Sequence, residues 1–261
     1  MKKILYLLCL GLIVCVVCNF ALPDVTYAAP GGMIVKAATK TWYGKAIVII
    51  LTIIFLPLLL YIMVKEKVAS NRASKALTEL AKINNIFRWT VLNQRAYEVI
   101  THVYYAWKKS DVSQATEWMT DWYWQNQKIT VLDEWESEGL SNYCKLNKIL
   151  SVKPLYVEYN EKTTGDGEGS RVVLLVKVKL IDYLINDKTG EVVEGDKKNK
   201  NFESVWTLLL EEGQWKLTLI EEGALSLRYA KMKSDIEGAN QHLKAGGDST
   251  CSKADLNIKT D

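Results

Sequence analysis

Histidine and cysteine are scarce in this chain of 261 residues, and their scarcity excludes several classes of site. Only His102 and His242 are present, so a histidine-rich metal centre is excluded, as is most catalysis by a histidine-based triad. Three of the five cysteines lie within the first 18 residues, which leaves Cys144 and Cys251, far apart and without CxxC spacing. We therefore expect free thiols in a reducing compartment, and neither a disulfide framework nor a zinc site.

The part of the chain that is long enough and mixed enough in composition to form a globular domain, residues 84–222, has no excess of positive charge. Residues 84–222 hold 17 basic and 22 acidic side chains, a net charge of −5, although the whole chain has a formal charge of +3. This balance argues against nonspecific nucleic-acid binding, which needs a basic face. Residues 65–82 instead hold five basic and two acidic side chains. Anionic lipid attracts such a segment, and we expect four of its cations to contact the membrane: Lys65, Lys67, Arg72 and Lys75.

Charged residues are absent from one long apolar run, Ala46 to Val64, which has 19 residues. At about 1.5 Å per residue, this run can cross a hydrocarbon core of about 30 Å as an α-helix. Pro57 lies inside it and is tolerated in a membrane helix. We therefore predict a transmembrane helix at residues 46–64.

A second apolar stretch begins the chain and has the layout of a secretory signal peptide. Two lysines precede an apolar region over Ile4–Leu22, and the small residues Thr26 and Ala28 fit a cleavage site. We predict a signal peptide at residues 1–28 and a short extracytoplasmic stub at residues 29–45. The alternative is an uncleaved first transmembrane helix.

Both alternatives put the C-terminal side of the run in the cytoplasm. Six basic residues between positions 65 and 88 follow the run, against three in the stub before it. Cytoplasmic segments carry the excess of lysine and arginine. With the signal peptide cleaved, the sequence therefore predicts a single-pass protein with a cytoplasmic C-terminal domain.

Helical periodicity dominates from residue 65 to residue 139. We interpret residues 65–83 as a basic juxtamembrane stalk that continues the membrane helix; the alternative is the first helix of the domain. Three helices fit between residues 84 and 139. The first is predicted at Ile86–Lys109, capped by Asn84–Asn85. A capping box of Asp111 and Gln114 begins the second helix, which carries Trp118 and Trp122 at i, i+4. Gly139 ends the helical region.

Apolar residues alternate with period two beyond Asn142, which predicts β-strands. Pro154 indicates that the first strand is an edge strand or contains a bulge. Residues 186–201 are predicted to form a polar loop, with or without a short hairpin at its tip. Residues 223–261 are predicted to form a short helix and a disordered tail. Helices followed by antiparallel strands indicate one α+β domain at residues 84–222. The predicted strands are Lys148–Tyr159, Arg171–Ile185, Phe202–Leu210 and Gln214–Ile220.

A series of short motifs resembles a known family. The motifs, in order, are AWKKSD at Ala106–Asp111, DY at Asp182–Tyr183, TGE at Thr189–Glu191, ESVWT at Glu203–Thr207 and GQWKL at Gly213–Leu217. Over residues 84–222 the chain resembles the C-terminal domain of the mitochondrial inner-membrane translocase subunit forty-four family, the Tim44-like domain. The resemblance implies a cystatin-like, nuclear-transport-factor-two-like cone, in which three helices pack on a curved antiparallel sheet.

The resemblance also implies a non-catalytic domain, without a cofactor, that holds other proteins at a membrane. In mitochondria the family docks at the import channel, contacts cardiolipin-rich membrane and recruits the heat-shock chaperone motor. The signal-like start and membrane span of this chain resemble the membrane-anchored bacterial members. We therefore expect a tether or adaptor in the bacterial inner (cell) membrane, with an unidentified membrane or cytoplasmic protein as partner, in protein transport or membrane-complex assembly. The alternative is a lipid or small-molecule binding module that uses the cone pocket.

Tryptophans are the candidate contact residues of the domain. Because Trp122, Tyr123 and Trp124 are adjacent, they cannot all face inward on one helix, and we expect at least one exposed aromatic anchor. Ordinary core packing is the alternative for the group. The four tryptophans predicted to line a pocket or contact a partner are Trp118, Trp122, Trp124 and Trp135.

Three further polar features each have two interpretations. His102 is interpreted either as a catalytic base or as a solvated residue at the edge of the apolar stripe. Asp182 is a buried acid with a raised pKa or the polar end of a strand. The basic run Lys197–Lys200 contacts anionic lipid or is a solvated loop tip.

Overall fold

The computed structural model describes residues 41–160 and 166–239. The first helix, α1 (Trp42–Leu80), includes the apolar run and Pro57. Among the described residues it is the one helix long and apolar enough to cross a membrane. The chain divides into two compact units at Val64 and Lys65, and each is described by itself. The predicted signal peptide and most of the predicted stub and tail lie outside the described residues.

The second unit begins with the last part of α1, which is packed into the domain core. Ala69, Ala73, Leu77 and Leu80 are fully buried, and the last three belong to the main hydrophobic cluster. Their spacing of three or four residues puts them on one face of the helix. The sequence interpretation assigned these residues to a stalk, but they are part of the domain core. Their packing matches the alternative interpretation, a first helix of the domain.

Between residue 41 and the sheet, the structure describes four helices, and two of them are short. Asn84 caps a 3₁₀ turn at residues 85–87, not the long helix itself, because the amide of Ile86 donates to its side chain at 3.0 Å. Asp111 likewise caps a 3₁₀ turn, at residues 112–115. Gly139 ends the helical half with a φ of +69°. The helices and the π-helical segment between them are α1, α2 (Trp89–Lys108), α3 (Asp121–Gln127), the π segment (Lys128–Leu132) and α4 (Asp133–Glu138).

The predicted i, i+4 relation of Trp118 and Trp122 is wrong. Trp118 lies in a turn before α3, and Trp122 is the second residue of α3. The segment between them pairs with the sheet, since the amide of Thr120 donates to the carbonyl of Leu217 at 2.9 Å. Backbone pairing with the strand that contains Leu217 thus takes the place of the helix that side-chain periodicity predicts.

The sheet has four antiparallel strands in the order β1-β2-β3-β4, as the α+β prediction expected. β1 is an edge strand, and its register with β2 shifts between Pro154 and Tyr156. Both parts of the prediction from Pro154 are therefore confirmed. The strands are β1 (Leu140–Glu158), β2 (Arg171–Asn186), β3 (Val192–Glu211) and β4 (Gln214–Glu222).

The predicted polar loop at residues 186–201 is wrong for most of its length. β2 and β3 continue to pair until Ile185 opposite Val192, so only residues 187–191 connect them. The exposed residues of β3 are charged on both faces, and this composition hides the strand from a hydrophobicity pattern. Backbone pairing with β2 stabilises it instead.

Two buried tryptophans form the centre of the core. Trp206 on β3 and Trp215 on β4 are each about 1% exposed. The indole N–H of Trp215 donates to the carbonyl of Ile86 at 3.1 Å, and that of Trp206 donates to the hydroxyl of Ser204 at 2.8 Å. Each buried indole thus has a hydrogen-bond acceptor, as stable burial requires.

A β-bulge changes which residues of β4 face this core. Strict alternation along β4 would put Trp215, Leu217 and Leu219 on one face, but the register with β3 shifts after Leu217. Leu219 is 37% exposed, and Ile220 packs against the main cluster instead. A bulge inserts one residue into one strand and so exchanges the two faces beyond it.

The opposite face of the sheet carries a smaller cluster. Leu155, Val173, Leu175 and Val205 pack there with Ala69 of α1 and with Ala230 of a short helix after the sheet, α5 (Ser226–Lys231). Arg72 of α1 donates from Nη2 to the carbonyl of Ala230 at 2.7 Å. The sheet is therefore covered on both faces.

Candidate functional site

One cavity of about 430 Å³ lies where the helices meet the beginning of the sheet. Its walls come from the turn after α2, the π segment with α4, the start of β1 and the connection between β2 and β3. This volume falls within the range of about 300–1,000 Å³ that is usual for small-molecule sites. The lining residues are Ser110, Asp111, Val112, Lys128, Leu132, Asp133, Trp135, Glu136, Leu140, Ser141, Asn142 and Asp187.

The cavity lining is acidic. Lys128 is its one cation, and the salt bridges within the described chain involve none of its four carboxylates, Asp111, Asp133, Glu136 and Asp187. Hydrogen bonds from Ser113 and then Gln114 hold the pKa of the Asp111 carboxyl below its usual range. The lining therefore favours a polar or cationic occupant over an acyl chain.

The four predicted contact tryptophans do not form one cluster. Trp118 and Trp124 are half-buried against the core, and the indole of Trp124 donates to Asp121 at 3.1 Å. Trp135 lines the cavity, and its ring centroid lies 6.1 Å from that of Trp107. Trp122 is 65% exposed, as expected for at least one of the adjacent aromatics.

Trp122 has an exposed apolar neighbour on the same stretch of chain. Ile129, in the π segment, is 66% exposed. Two helical turns separate the residues, so they lie on one side of this stretch. We call Trp122 and Ile129 the exposed apolar pair. Lys128 and Leu132, in the same π segment as Ile129, line the cavity, so Ile129 lies on a segment that also forms one wall of the cavity.

His102 does not lie in a reactive arrangement. Its ring stacks on Trp118 with centroids 3.6 Å apart and planes 6° apart, and it is half-buried. This position is the edge of the apolar face, where one side of the imidazole is covered by an indole. Within the part of the chain that the structure describes, no three histidine, cysteine or acidic side chains are grouped for a metal ion.

Asp182 lies in a polar cluster on the inner face of the sheet, beneath α2. It pairs across the strands with Cys144, whose thiol is a hydrogen-bond partner of the carboxyl, and the amide of Asn142 is another. Burial raises the pKa of the Asp182 carboxyl, and Glu194 raises it further. Burial also raises the pKa of the Cys144 thiol to about 12 and that of the Tyr104 hydroxyl above its usual value. The inward phase of Asp182 was visible in the strand pattern.

The predicted membrane-contacting cations differ in their surroundings. Lys67 and Lys75 are exposed, whereas Lys65 and Arg72 are half-buried. The Arg72 guanidinium donates a hydrogen bond to the carbonyl of Ala230 in α5. Its position therefore suits a structural contact within the domain better than a contact with lipid. Lys67 and Lys75 keep the exposure that the prediction requires.

The basic run at the predicted loop lies on β3. Lys200 forms a salt bridge with Asp196 at 2.9 Å, and the ammonium of Lys197 lies 5.7 Å from the ring centroid of Tyr183. Two of its three cations therefore have partners within the sheet. This arrangement favours a solvated strand over a lipid-binding tip.

Sequence reasoning named one lining residue, Trp135, but it missed the other walls of the cavity because they come from separate segments. Nothing in the sequence brings Ser110, Lys128 and Asp187 together, since the pairing of β1 with β2 positions the last of them. The acidic residues at 133–138 were the one available signal.

Comparison with known proteins identifies one family. The family model of the Tim44-like domain matches residues 73–222, more than half of the chain. A similar solved structure is the intermembrane-space region of the chloroplast protein ARC6, with 11% identity and a TM-score of 0.35, over 49% of this chain and 93% of that chain. Another is AclR from Streptomyces galilaeus, a candidate hydroxylase, with 12% identity and a TM-score of 0.25, over 62% and 99%. No curated protein matches the sequence.

Proposed function

Because this chain belongs to the family of proteins with a Tim44-like domain, we propose that it is a membrane-anchored, non-catalytic adaptor that presents this domain to a protein partner. One helix has the length and composition to cross a membrane, and the domain follows it in the chain. We further propose that the membrane is a bacterial inner membrane, that the domain is cytoplasmic, and that it is a cystatin-like cone with α2, α3 and α4 as its three helices.

The exposed apolar pair carries this proposal. Trp122 and Ile129 are about two-thirds exposed, more than any other large apolar residue of the domain within the described residues. Tryptophan is enriched among the residues that dominate the energy of protein interfaces. An adaptor needs such an anchor, and the acidic cavity beside it adds polar selectivity for the partner.

The reactive groups of the domain support a non-catalytic role. One face of the His102 imidazole is covered by the indole of Trp118. Burial raises the pKa of the Cys144 thiol, so Cys144 is a poor nucleophile at neutral pH. The exposed Lys67 and Lys75 suit contact with anionic lipid headgroups, which attract cations near the surface.

The adaptor proposal is tested by a photo-crosslinker in intact cells. A photoreactive residue at position 122 of the full chain is expected to trap one or two proteins, identified by quantitative mass spectrometry. The same crosslinker at the exposed Val193, on β3, is the matched control. Trp122→Ala together with Ile129→Ser should abolish co-purification of the same proteins, while Val193→Ser should leave it unchanged. Equal capture at both positions would contradict the proposal.

A second candidate function is a small-molecule binding module, as expected from a cone pocket. The cavity has a suitable volume, and its four carboxylates favour a polar cationic solute. Native mass spectrometry of the full chain released from nanodiscs is expected to reveal a bound small molecule if this candidate is correct. Asp133→Asn with Glu136→Gln should release it, whereas Glu134→Gln on the same helix, outside the cavity lining, should not.

A further inference from the structure

The outer edge of β1 has unpaired backbone along its first part. β1 is the first strand in the order of the sheet, with β2 as its neighbour. Its pairing with β2 runs without a shift from Leu140 to Leu146. Within the described residues, the bridge on the other side of β1 is that of Glu158 with Asp235, at the opposite end of the strand. Alternate residues of Leu140–Leu146 therefore direct their N–H and C=O groups away from β2, where another strand can pair.

Three exposed lysines lie beside this free edge, on the face of the sheet opposite the main cluster. Lys145 and Lys148 belong to β1, and Lys179 of β2 is the cross-strand partner of Lys148. Val178 belongs to the main cluster, so Lys179, the next residue, points to the other face. The partner of Lys145 is Ile181, two residues after Lys179 and therefore on the same face. We call Lys145, Lys148 and Lys179 the basic edge.

The basic edge has no counter-charge within the described residues. The salt bridges there involve none of its three lysines, and the neighbouring Glu203 is paired with Lys177. Like charges directly opposite each other on a sheet are destabilising, and Lys148 faces Lys179 in this way. A net charge of −5 over residues 84–222 makes this local excess of positive charge more distinctive. An anionic partner would relieve the repulsion.

An aromatic pair lies on the same face, beside the same edge. Tyr143 of β1 and Tyr183 of β2 are cross-strand partners, with ring centroids 4.8 Å apart and planes 21° apart. Tyr143 is 41% exposed and lies two residues before Lys145. A side chain of an added strand can therefore pack against an aromatic ring at this point.

We propose that β1 binds an extended acidic peptide segment, which adds to the sheet as a further strand along Leu140–Leu146. The backbone of the segment pairs with the free edge, and carboxylates at alternate positions of the segment pair with Lys145 and Lys148. In strand addition, main-chain hydrogen bonds supply affinity and alternate side chains supply specificity. Lys179 adds to the positive potential of the site from the second row.

The charge of the edge selects its partner. A second copy of this chain that paired through the same edge would bring lysines against lysines, and such repulsion is a common protection against self-association. An acidic segment meets the opposite charge instead, so the same lysines reject one partner and attract the other. The basic edge is separate in sequence from the exposed apolar pair, and this inference goes beyond the adaptor proposal and does not depend on it.

The test uses the full chain in nanodiscs of phosphatidylcholine, which carries no net charge, and three fluorescent peptides. The first alternates threonine with glutamate, the second has glutamine in place of glutamate, and the third keeps every glutamate but has proline at a central threonine. Fluorescence polarisation should show binding of the first peptide, with at least tenfold weaker binding of the other two. Glutamine removes the charge, and proline removes a backbone donor and disfavours strand pairing.

Amide hydrogen exchange locates the bound peptide. In the saturated complex, exchange in fragments covering Leu140–Leu146 should be about tenfold slower than in the free chain, while fragments of β4 should be unchanged. Unchanged exchange along β1 would contradict the proposal, as would no binding of the threonine–glutamate peptide. Equal binding of the proline peptide would also contradict it, because the face would then recognise charge alone, as a lipid headgroup or an RNA backbone would require.

Matched variants connect binding to the basic edge. Lys145→Gln with Lys148→Gln should weaken binding of the first peptide about tenfold, whereas Lys75→Gln, at an exposed lysine of α1, should leave it unchanged. Lys148→Gln removes the repulsion with Lys179 and should not lower the thermal midpoint measured by circular dichroism. Trp122→Ala with Ile129→Ser should bind the peptide as the wild type does, so failure of this inference and failure of the adaptor proposal are distinguishable. Equal binding by the Lys145/Lys148 variant and the wild type would contradict the proposal.

Discussion

Trp215 and Trp122 are the same residue type in opposite surroundings, and the difference gives a direct test of the core. We expect Trp215→Ala to lower the free energy of unfolding by about 3–5 kcal/mol, because it opens a cavity and leaves the carbonyl of Ile86 without its partner. Trp122→Ala should change it by less than about 0.5 kcal/mol, since the side chain is exposed. Urea denaturation of the full chain in detergent, followed by circular dichroism, measures both. Similar losses would contradict the packing described here.

Cys144 should be chemically inert in the folded domain. It is buried, and burial raises the pKa of its thiol to about 12, so little thiolate exists at neutral pH. Alkylation with iodoacetamide, followed by peptide mass spectrometry, should leave Cys144 unmodified in the native chain and modify it fully in urea. Fast labelling of the native protein at this residue would show that the sheet opens there.

Single residues were predictable where local chemistry decides their position. Asp182 on the inward phase of β2 followed from alternation, and the exposure of one residue among Trp122–Trp124 followed from helix geometry. Leu219 was not predictable in this way, because a bulge that only the pairing of β3 and β4 creates reverses its face. The hydrogen bond that engages Arg72 likewise depends on α5, which is more than 150 residues away in the chain.

Two glycines make a matched test of the sheet and helix elements. Both have positive φ, but a Cβ at Gly195 would lie 2.4 Å from the carbonyl oxygen of Asp182, whereas one at Gly139 would meet open space. Gly139→Ala should cost about 1–2 kcal/mol of unfolding free energy for its backbone conformation alone. Gly195→Ala should cost more, and it should speed amide hydrogen exchange at the β2–β3 pairing around Tyr183 and Gly195. Equal costs would contradict the close approach at Gly195.

Strong periodicity made some elements predictable, while long-range pairing defined others. The long apolar part of α1, most of α2, and β2 and β4 were close to their predicted bounds, because each has a clear apolar pattern. The first half of β3 was missed because its exposed residues are charged on both sides. The segment 111–120 was predicted helical, but its backbone pairs with Leu217, a contact that no local pattern contains.

At the scale of the whole molecule, the proposed orientation gives an all-or-none prediction. A C-terminal fusion to a reporter active only outside the cytoplasm should be inactive, and a fusion to one active only inside should be active, because basic residues after the apolar run favour the cytoplasmic side. The same two reporters fused after residue 40, in a chain that keeps residues 1–40, should give the reverse result: the external reporter active and the internal reporter inactive. Activity of the external reporter at the C-terminus would reverse the topology.

Both edges of the sheet are partly closed by short pieces of backbone. Met119 bridges to Leu217 beside β4, and Glu158 bridges to Asp235 beside β1, with the amide of Tyr159 donating to the carbonyl of Asp235 at 2.8 Å. An unpaired edge can recruit a strand from another chain. A fragment ending at residue 222, the last residue of the family match, would lose the cover over β1. Such a fragment should polymerise edge to edge, because Asp235, which bridges to Glu158 at the β1 edge, would be missing from it.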